Sequence, residues 1–192
     1  TADEILDWFD NQNPVSNAGW TYYGNALLTL GRKPLGQRVI RETWIEGNFT
    51  KRETRRFYKR FRRILTLADH RERLDRLIWE GRYWPARRML WRVGKDTRLL
   101  AEAGLMLMRR EGNVDTAIAR VPQNLVSDEG LIYERLRWRR RKGRYESAAA
   151  LLNSIPKDVK YPDKWWLERA VLAREALEKG HITDAYRIGR DH

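Results

Sequence analysis

Apolar residues recur along this chain at helical spacing. Trp166, Ala170, Ala173 and Leu177 step by four, three and four, which puts them on one stripe of a helix. Leu99, Ala103, Met106 and Leu107 repeat the pattern, and the groups Ile64, Leu65, Ala68 and Leu74, Leu77, Ile78 mark two further stripes. Strict period-two alternation is missing, so no strands are predicted. Thr50 followed three residues later by Glu53 reads as a capping box. Asp96 and Asp163 fall where N-caps are predicted. Pro34 and Pro85 lie near helix starts, where a missing N–H costs little.

The predicted helices come in pairs whose joints are alike: "WEGRYWPARRML" (79–90), "RREGNVDTAIAR" (109–120), "RRKGRYESAAAL" (140–151) and "LEKGHITDAYRI" (177–188). Each contains a glycine: Gly81, Gly112, Gly143 and Gly180. An apolar residue follows two positions on, at Tyr83, Val114, Tyr145 and Ile182, and alanine five on, at Ala86, Ala117, Ala148 and Ala185. Eight on comes Met89, Leu151 or Ile188, with Arg120 the exception. A weaker copy begins at Gly31, with Gly36 in the alanine place and Val39 in the aliphatic one. Glycine can end a helix in the left-handed conformation without a Cβ clash. The apolar residue anchors the turn, and alanine lets the second helix cross closely. The glycines are 31, 31 and 37 residues apart, the period of helix–turn–helix arrays. A lone pair cannot bury its apolar face, so neighbours stack. The expected architecture is all-α: a right-handed α-superhelix, or solenoid, of tetratricopeptide-like pairs, forming a single domain over 1–192.

Composition narrows the function. The 192 residues are 42% hydrophobic and 11% aromatic, with nine Trp, which excludes a disordered chain and supplies a core. The formal net charge of +13 points to anionic partners: nucleic acid, a membrane surface or an acidic polymer. With no cysteine, disulfides and thiolate metal sites are excluded. No apolar run approaches the ~20 residues of a membrane helix, so no membrane span is predicted. The sequence starts at Thr1 without Met, so it reads as a processed protein or an excised piece, with any targeting segment removed or outside it.

Two basic blocks are candidate contacts for an anionic polymer. In "ERLRWRRRKGRYESAAALLNSIP" (134–156), six of the eight residues from Arg135 to Lys142 are basic. The repeat pattern makes 128–142 the first helix of a pair and 145–153 the second, with Leu131, Ile132, Leu136 and Trp138 facing the core. The arginines then fill the remaining faces and the last turn, where the helix dipole favours cations. In "KRETRRFYKRFRR" (51–63), arginines interleave with Phe57, Tyr58 and Phe61 in an amphipathic helix with a basic face. Arg55, Arg56 and Arg60 from one block, and Arg137, Arg140 and Arg141 from the other, are the candidate anion contacts. The aromatic stretches "WTYYGNALL" (20–28) and "KWWLERA" (164–170) have the spacing of core contacts, although such rings can also stack on sugars or bases.

No catalytic, metal-ligating or cofactor-binding residue is predicted. His70, His181 and His192 lie far apart, and no phosphate-binding glycine loop or nucleophile-elbow motif is present.

The joints at 77–93, "LIWEGRYWPARRMLWRV", and 176–192, "ALEKGHITDAYRIGRDH", are similar to the helical superstructure of soluble lytic murein transglycosylases. So is 18–50, "AGWTYYGNALLTLGRKPLGQRVIRETWIEGNFT", with its short paired helices and Trp–Ile–Glu–Gly turn. The resemblance covers most of 18–192. It implies the superhelical, U-shaped, non-catalytic part of a periplasmic enzyme. A lysozyme-like domain beyond His192 would then cleave the MurNAc–GlcNAc bond of peptidoglycan to a 1,6-anhydro product. In that family the catalytic domain carries Glu-Ser and, downstream, Gly-Leu-Met-Gln. Here Gly104-Leu105-Met106 is followed by Leu107, and Glu146-Ser147 comes after it rather than before. Both sit inside repeat helices, so the segment is expected to hold no active site.

Three functions follow from these readings: a scaffold that holds peptidoglycan strands, a tetratricopeptide-like solenoid that binds a protein partner, and a helical repeat that binds nucleic acid. Charge alone supports the last only as nonspecific binding.

Overall fold

A computed structural model describes residues 1–10, 12–155 and 158–190. Among these the protein is all-helical, with twelve α-helices, three short 3-10 turns and no strand. Two compact units divide the chain, Thr1–Gly94 and Lys95–His192.

The first unit contains α1 (Ala2–Asp10), α2 (Asn17–Thr29), α3 (Lys33–Glu46), α4 (Lys51–Phe61), α5 (Leu67–Trp79) and α6 (Tyr83–Met89), then a 3-10 turn at Leu90–Arg92. Helix α2 packs on α3, α3 on α5, and α5 on α6. The α2–α3 crossing is close. A Cβ on Gly24 would meet the Ile40 side chain at 2.8 Å, and one on Gly36 would meet Leu28 at 2.8 Å. The core centres on Trp44, which is fully buried and ringed by Phe49, Phe57, Tyr58 and His70.

The second unit contains α7 (Lys95–Arg109), α8 (Val114–Ala119), α9 (Glu129–Arg141), α10 (Tyr145–Ala150), α11 (Pro162–Glu178) and α12 (Ile182–Arg190). Its 3-10 turns are Gln123–Leu125 and Leu151–Ser154. Within it α7 packs on α8 and α9, α9 on α10 and α11, and α11 on α12. One core joins Ala103, Leu107, Val114, Val121 and Leu131, with Leu100, Met106 and Trp138 against it.

The joints are built as C-terminal caps. Gly31, Gly81, Gly143 and Gly180 have φ between 70° and 76°. The amide after each glycine donates to a carbonyl five residues back: Arg32 to Leu27, Arg82 to Leu77, Arg144 to Arg139 and His181 to Ala176. Gly112 departs from this. Helix α7 ends at Arg109, one residue earlier relative to its glycine, Arg110 takes the left-handed position at φ 57°, and Glu111 donates to Met106 at 3.0 Å. Asn113, at φ 59°, then opens α8. Of the joint alanines, Ala86, Ala148 and Ala185 are buried and Ala117 is half-buried.

Several local expectations are corrected. Asp96 and Asp163 lie inside the first turns of α7 and α11, where their charge faces the positive helix end without capping it. Asp128 is a true N-cap, accepting from the Leu131 amide at 3.0 Å. Ala68 is exposed in the first turn of α5, and Ile64 and Leu65 belong to the preceding turn, so the three do not form one stripe. Helix α11 is rotated relative to the sequence reading. It buries Trp165, Glu168 and Leu172, and leaves Trp166 and Leu177 exposed. Ion pairing explains that rotation: the Glu168 carboxylate turns inward to meet arginines of α9.

Candidate anion-binding cleft

The predicted anion contacts separate into two groups. Arg137 and Arg140 on α9 are engaged inside the second unit. Both nitrogens of the Arg140 fork reach the Glu168 carboxylate. Arg137 donates to Glu134 at 2.8 Å and lies 3.4 Å from Glu168. Glu134 is buried, and that burial pushes its pKa up while Arg137 pulls it down. Arg141 is half-buried beside them, and burial, then Arg137, lowers its pKa. Arg139 donates to the Ser147 carbonyl at 2.8 Å, and Arg144 lies over the Trp138 ring at 5.3 Å. The basic run at 135–142 is therefore a packed helix end rather than a free arm. Leu131, Ile132 and Leu136 are buried and Trp138 is half-buried.

The second group, on α4, opens onto a cleft in the first unit. Thr50 caps α4, accepting from the Glu53 amide at 3.3 Å, while Glu53 accepts from the Thr50 amide at 2.7 Å. Both halves of the capping box are present. Hydrogen bonds from Thr50 hold the Glu53 carboxyl below its usual pKa. Phe57 and Phe61 face the core, so the opposite face of α4 is left to its cations. Lys51, Thr54 and Arg55 form one wall of a cleft of about 410 Å³. Trp84, Arg87 and Arg88 of α6, with Trp91 and Arg92 of the following 3-10 turn, form the other. No carboxylate lines it. Arg52 and Arg56 extend the basic face beyond Lys51 and Arg55. Arg60 is elsewhere, donating to Asn25 Oδ1 at 2.7 Å and lying over Phe61.

A cationic interior backs this cleft. Arg73 on α5 is 1% exposed. It donates to the carbonyls of Trp44 and Gly47 and lies 4.6 Å from the Trp44 ring centroid. Arg76 donates to Ile45 O at 2.7 Å and contacts Glu80. These two side chains satisfy the carbonyls that the end of α3 leaves unpaired. The Arg73 pKa is pushed down to about 9, first by burial and then by the charges of Arg76, Arg88 and Arg92. Glu80 opposes that shift, and Glu46 lies 3.8 Å from Arg76.

Sequence reasoning found Arg55 and Arg56 but missed Lys51, Trp84, Arg87, Arg88, Trp91 and Arg92. The signal was present in "WPARRMLWR": two Trp seven residues apart with Arg87 and Arg88 at the intervening helical positions. An apolar stripe meant for the core would carry aliphatic residues there. Among the described histidines, His70 is buried and His181 lies exposed in the α11–α12 turn; His192 falls outside the described residues. Among the described residues no group of three or more His, Asp or Glu is arranged to hold a metal. No described helix is long and apolar enough to cross a membrane. The Gly104-Leu105-Met106 and Glu146-Ser147 segments lie in helices, with Gly104 and Leu105 buried in α7 and Glu146 and Ser147 exposed on α10. No protein-family model, curated protein or solved structure matches this chain.

Proposed function

We propose that this chain is a non-catalytic helical scaffold that holds anionic glycan strands, as the superhelical part of a periplasmic lytic transglycosylase does. In this reading the helical pairs continue one another as a right-handed superhelix. A separate catalytic domain cleaves the MurNAc–GlcNAc bond. The observation that carries the reading is the cleft of α4 and α6, where five cations and two exposed indoles converge without a carboxylate. Peptidoglycan offers the matching chemistry: sugar rings with apolar faces, and lactyl and stem-peptide carboxylates. A field of one sign in a cleft raises the local concentration of such a polymer.

The purified chain is expected to co-sediment with insoluble peptidoglycan and to release no anhydro-muropeptides. Failure to co-sediment at low salt removes the glycan role. Release of anhydro sugars by the pure chain removes the non-catalytic one.

A second reading, a tetratricopeptide-like protein-interaction solenoid, is favoured by one specific feature. Leu167, Leu177, Ile182 and Tyr186 on α11 and α12 are each more than half exposed. Saturable binding of a protein partner, without glycan affinity, would select it.

A further inference from the structure

Among the tryptophans of α3, α5, α6 and the 3-10 turn that follows, two are buried and two are exposed. Trp44 and Trp79 are 0% and 4% exposed, whereas Trp84 and Trp91 are 57% and 79% exposed. Apolar surface gathered in one patch marks an interaction site where a lone exposed residue does not, and both of these indoles line the one cleft. Their rings stand at either end of the same short arginine-bearing segment.

The cations around them also divide. Arg87 lies 5.7 Å from the Trp84 ring centroid and donates to the Tyr83 hydroxyl at 3.3 Å. Arg92 lies 4.4 Å from the Tyr58 centroid and donates to the Arg88 carbonyl at 3.2 Å. Those two are held by the protein's own groups through their other atoms, although the Arg92 Nε is buried without a hydrogen-bond partner. Lys51, Arg55 and Arg88 pair with no acid among the described residues, and the Arg88 Nε is buried without a hydrogen-bond partner. A guanidinium fork bonds a carboxylate or phosphate through two parallel N–H donors. A ring stacked on an indole needs an apolar face and little else.

We propose that the cleft between α4 and α6 is a subsite for a sugar-sized ring bearing one carboxylate, with Lys51, Arg55 and Arg88 binding the acid and Trp84 and Trp91 contacting the ring. The subsite rests on the glycan reading for the choice of ring. A phosphorylated ring presents the same anionic chemistry, and the test separates the two sources.

Holding unpaired cations together works against stability, and a binding site tolerates that cost where a purely structural residue would not. Neutralising Arg88 should therefore weaken the ligand without weakening the fold.

The test titrates the full chain with small probes, read by the indole N–H resonances of Trp84 and Trp91. N-Acetylmuramic acid should shift both resonances and bind at least about 10-fold more tightly than neutral N-acetylglucosamine, the difference expected for one charge-assisted pair. Equal affinity for the two sugars overturns recognition of the acid. Inorganic phosphate matching N-acetylmuramic acid overturns recognition of the ring. N-Acetylglucosamine 6-phosphate or uridine monophosphate binding more tightly than N-acetylmuramic acid overturns the carboxylate assignment. Arg88→Gln and the exposed Arg55→Gln should each weaken N-acetylmuramic acid binding about 5- to 10-fold, as loss of one charged contact does. The ligand-free Tm of Arg88→Gln should stay level or rise. A clear fall in Tm makes Arg88 structural, and full affinity in Arg55→Gln overturns the clamp. Co-sedimentation with peptidoglycan, run in parallel, keeps the two ideas apart. A chain that sediments but shows no N-acetylmuramic acid preference loses the subsite alone, and a chain that does not sediment loses the glycan role.

Discussion

At the residue scale, one backbone dihedral distinguishes the joint at α7 from the other four. Gly31, Gly81, Gly143 and Gly180 reach positive φ with open space around the missing Cβ. Arg110 reaches φ 57° with a side chain attached. For an L-residue other than glycine that conformation costs roughly 1–2 kcal/mol, partly offset because glycine loses more entropy on folding. Arg110→Gly is therefore expected to stabilise the protein by roughly 0.5–1 kcal/mol, read as a raised denaturation midpoint with an unchanged m-value. Arg110 also repels the Arg141 charge, so Arg110→Ala is the control: if it stabilises equally, relief of that repulsion is the cause and the backbone argument is wrong. The converse change, Gly81→Ala, meets no neighbouring atom, so its expected cost of about 1 kcal/mol is conformational alone. No measurable loss would mean that this turn relaxes out of the left-handed region.

At the element scale, α3, α4 and α5 are joined through Trp44 and His70. The Trp44 indole donates to His70 Nδ1 at 3.1 Å, and the Tyr58 ring of α4 sits 5.8 Å from the His70 ring. Burial first, and then Arg92, lowers the His70 pKa; an upward pull from Asp69 comes next, ahead of a last, smaller lowering by Arg73. The unfolded chain thus takes up the proton first, at about pH 6.5. Stability is whole above that pH and declines as pH falls through it, by at most about 1.4 kcal/mol per pH unit for one proton. Denaturant midpoints between pH 7.5 and 5 should fall for the native chain and fall less for His70→Gln, which keeps a side-chain acceptor for the indole. Equal slopes in the two proteins would exclude His70 as the source. The same elements show what could be read from the chain alone. Helix existence, the Thr50–Glu53 capping box, the joint glycines except Gly112 and the core face of α9 all follow from local patterns. The rotation of α11 did not, because the contact that sets it joins Glu168 to Arg137 and Arg140 across 28 or more residues. Half the cleft escaped for a related reason. Trp84 and Trp91 have core-like spacing, and only their arginine neighbours place them at the surface.

At the scale of the whole molecule, the net charge of +13 does not by itself identify a ligand. Arg73, Arg76, Arg137 and Arg140 spend their charge on internal carbonyls and carboxylates. The cations exposed on α4 remain able to bind almost any polyanion at low salt. Salt separates that background from a built site. A polyanion held through many phosphate contacts releases a counterion for each, and roughly 6–10 contacts lose about 10³- to 10⁵-fold in affinity between 50 and 200 mM salt. A single carboxylate held with ring contacts releases about one, and ring contacts do not depend on salt. A 20-nucleotide single-stranded DNA should therefore lose more than about 100-fold in affinity over that range, while N-acetylmuramic acid loses less than about 10-fold. The opposite ordering, with DNA retained at 200 mM and the sugar lost, would turn the same cations and indoles into a nucleic-acid site, since bases stack on tryptophan as readily as sugars do.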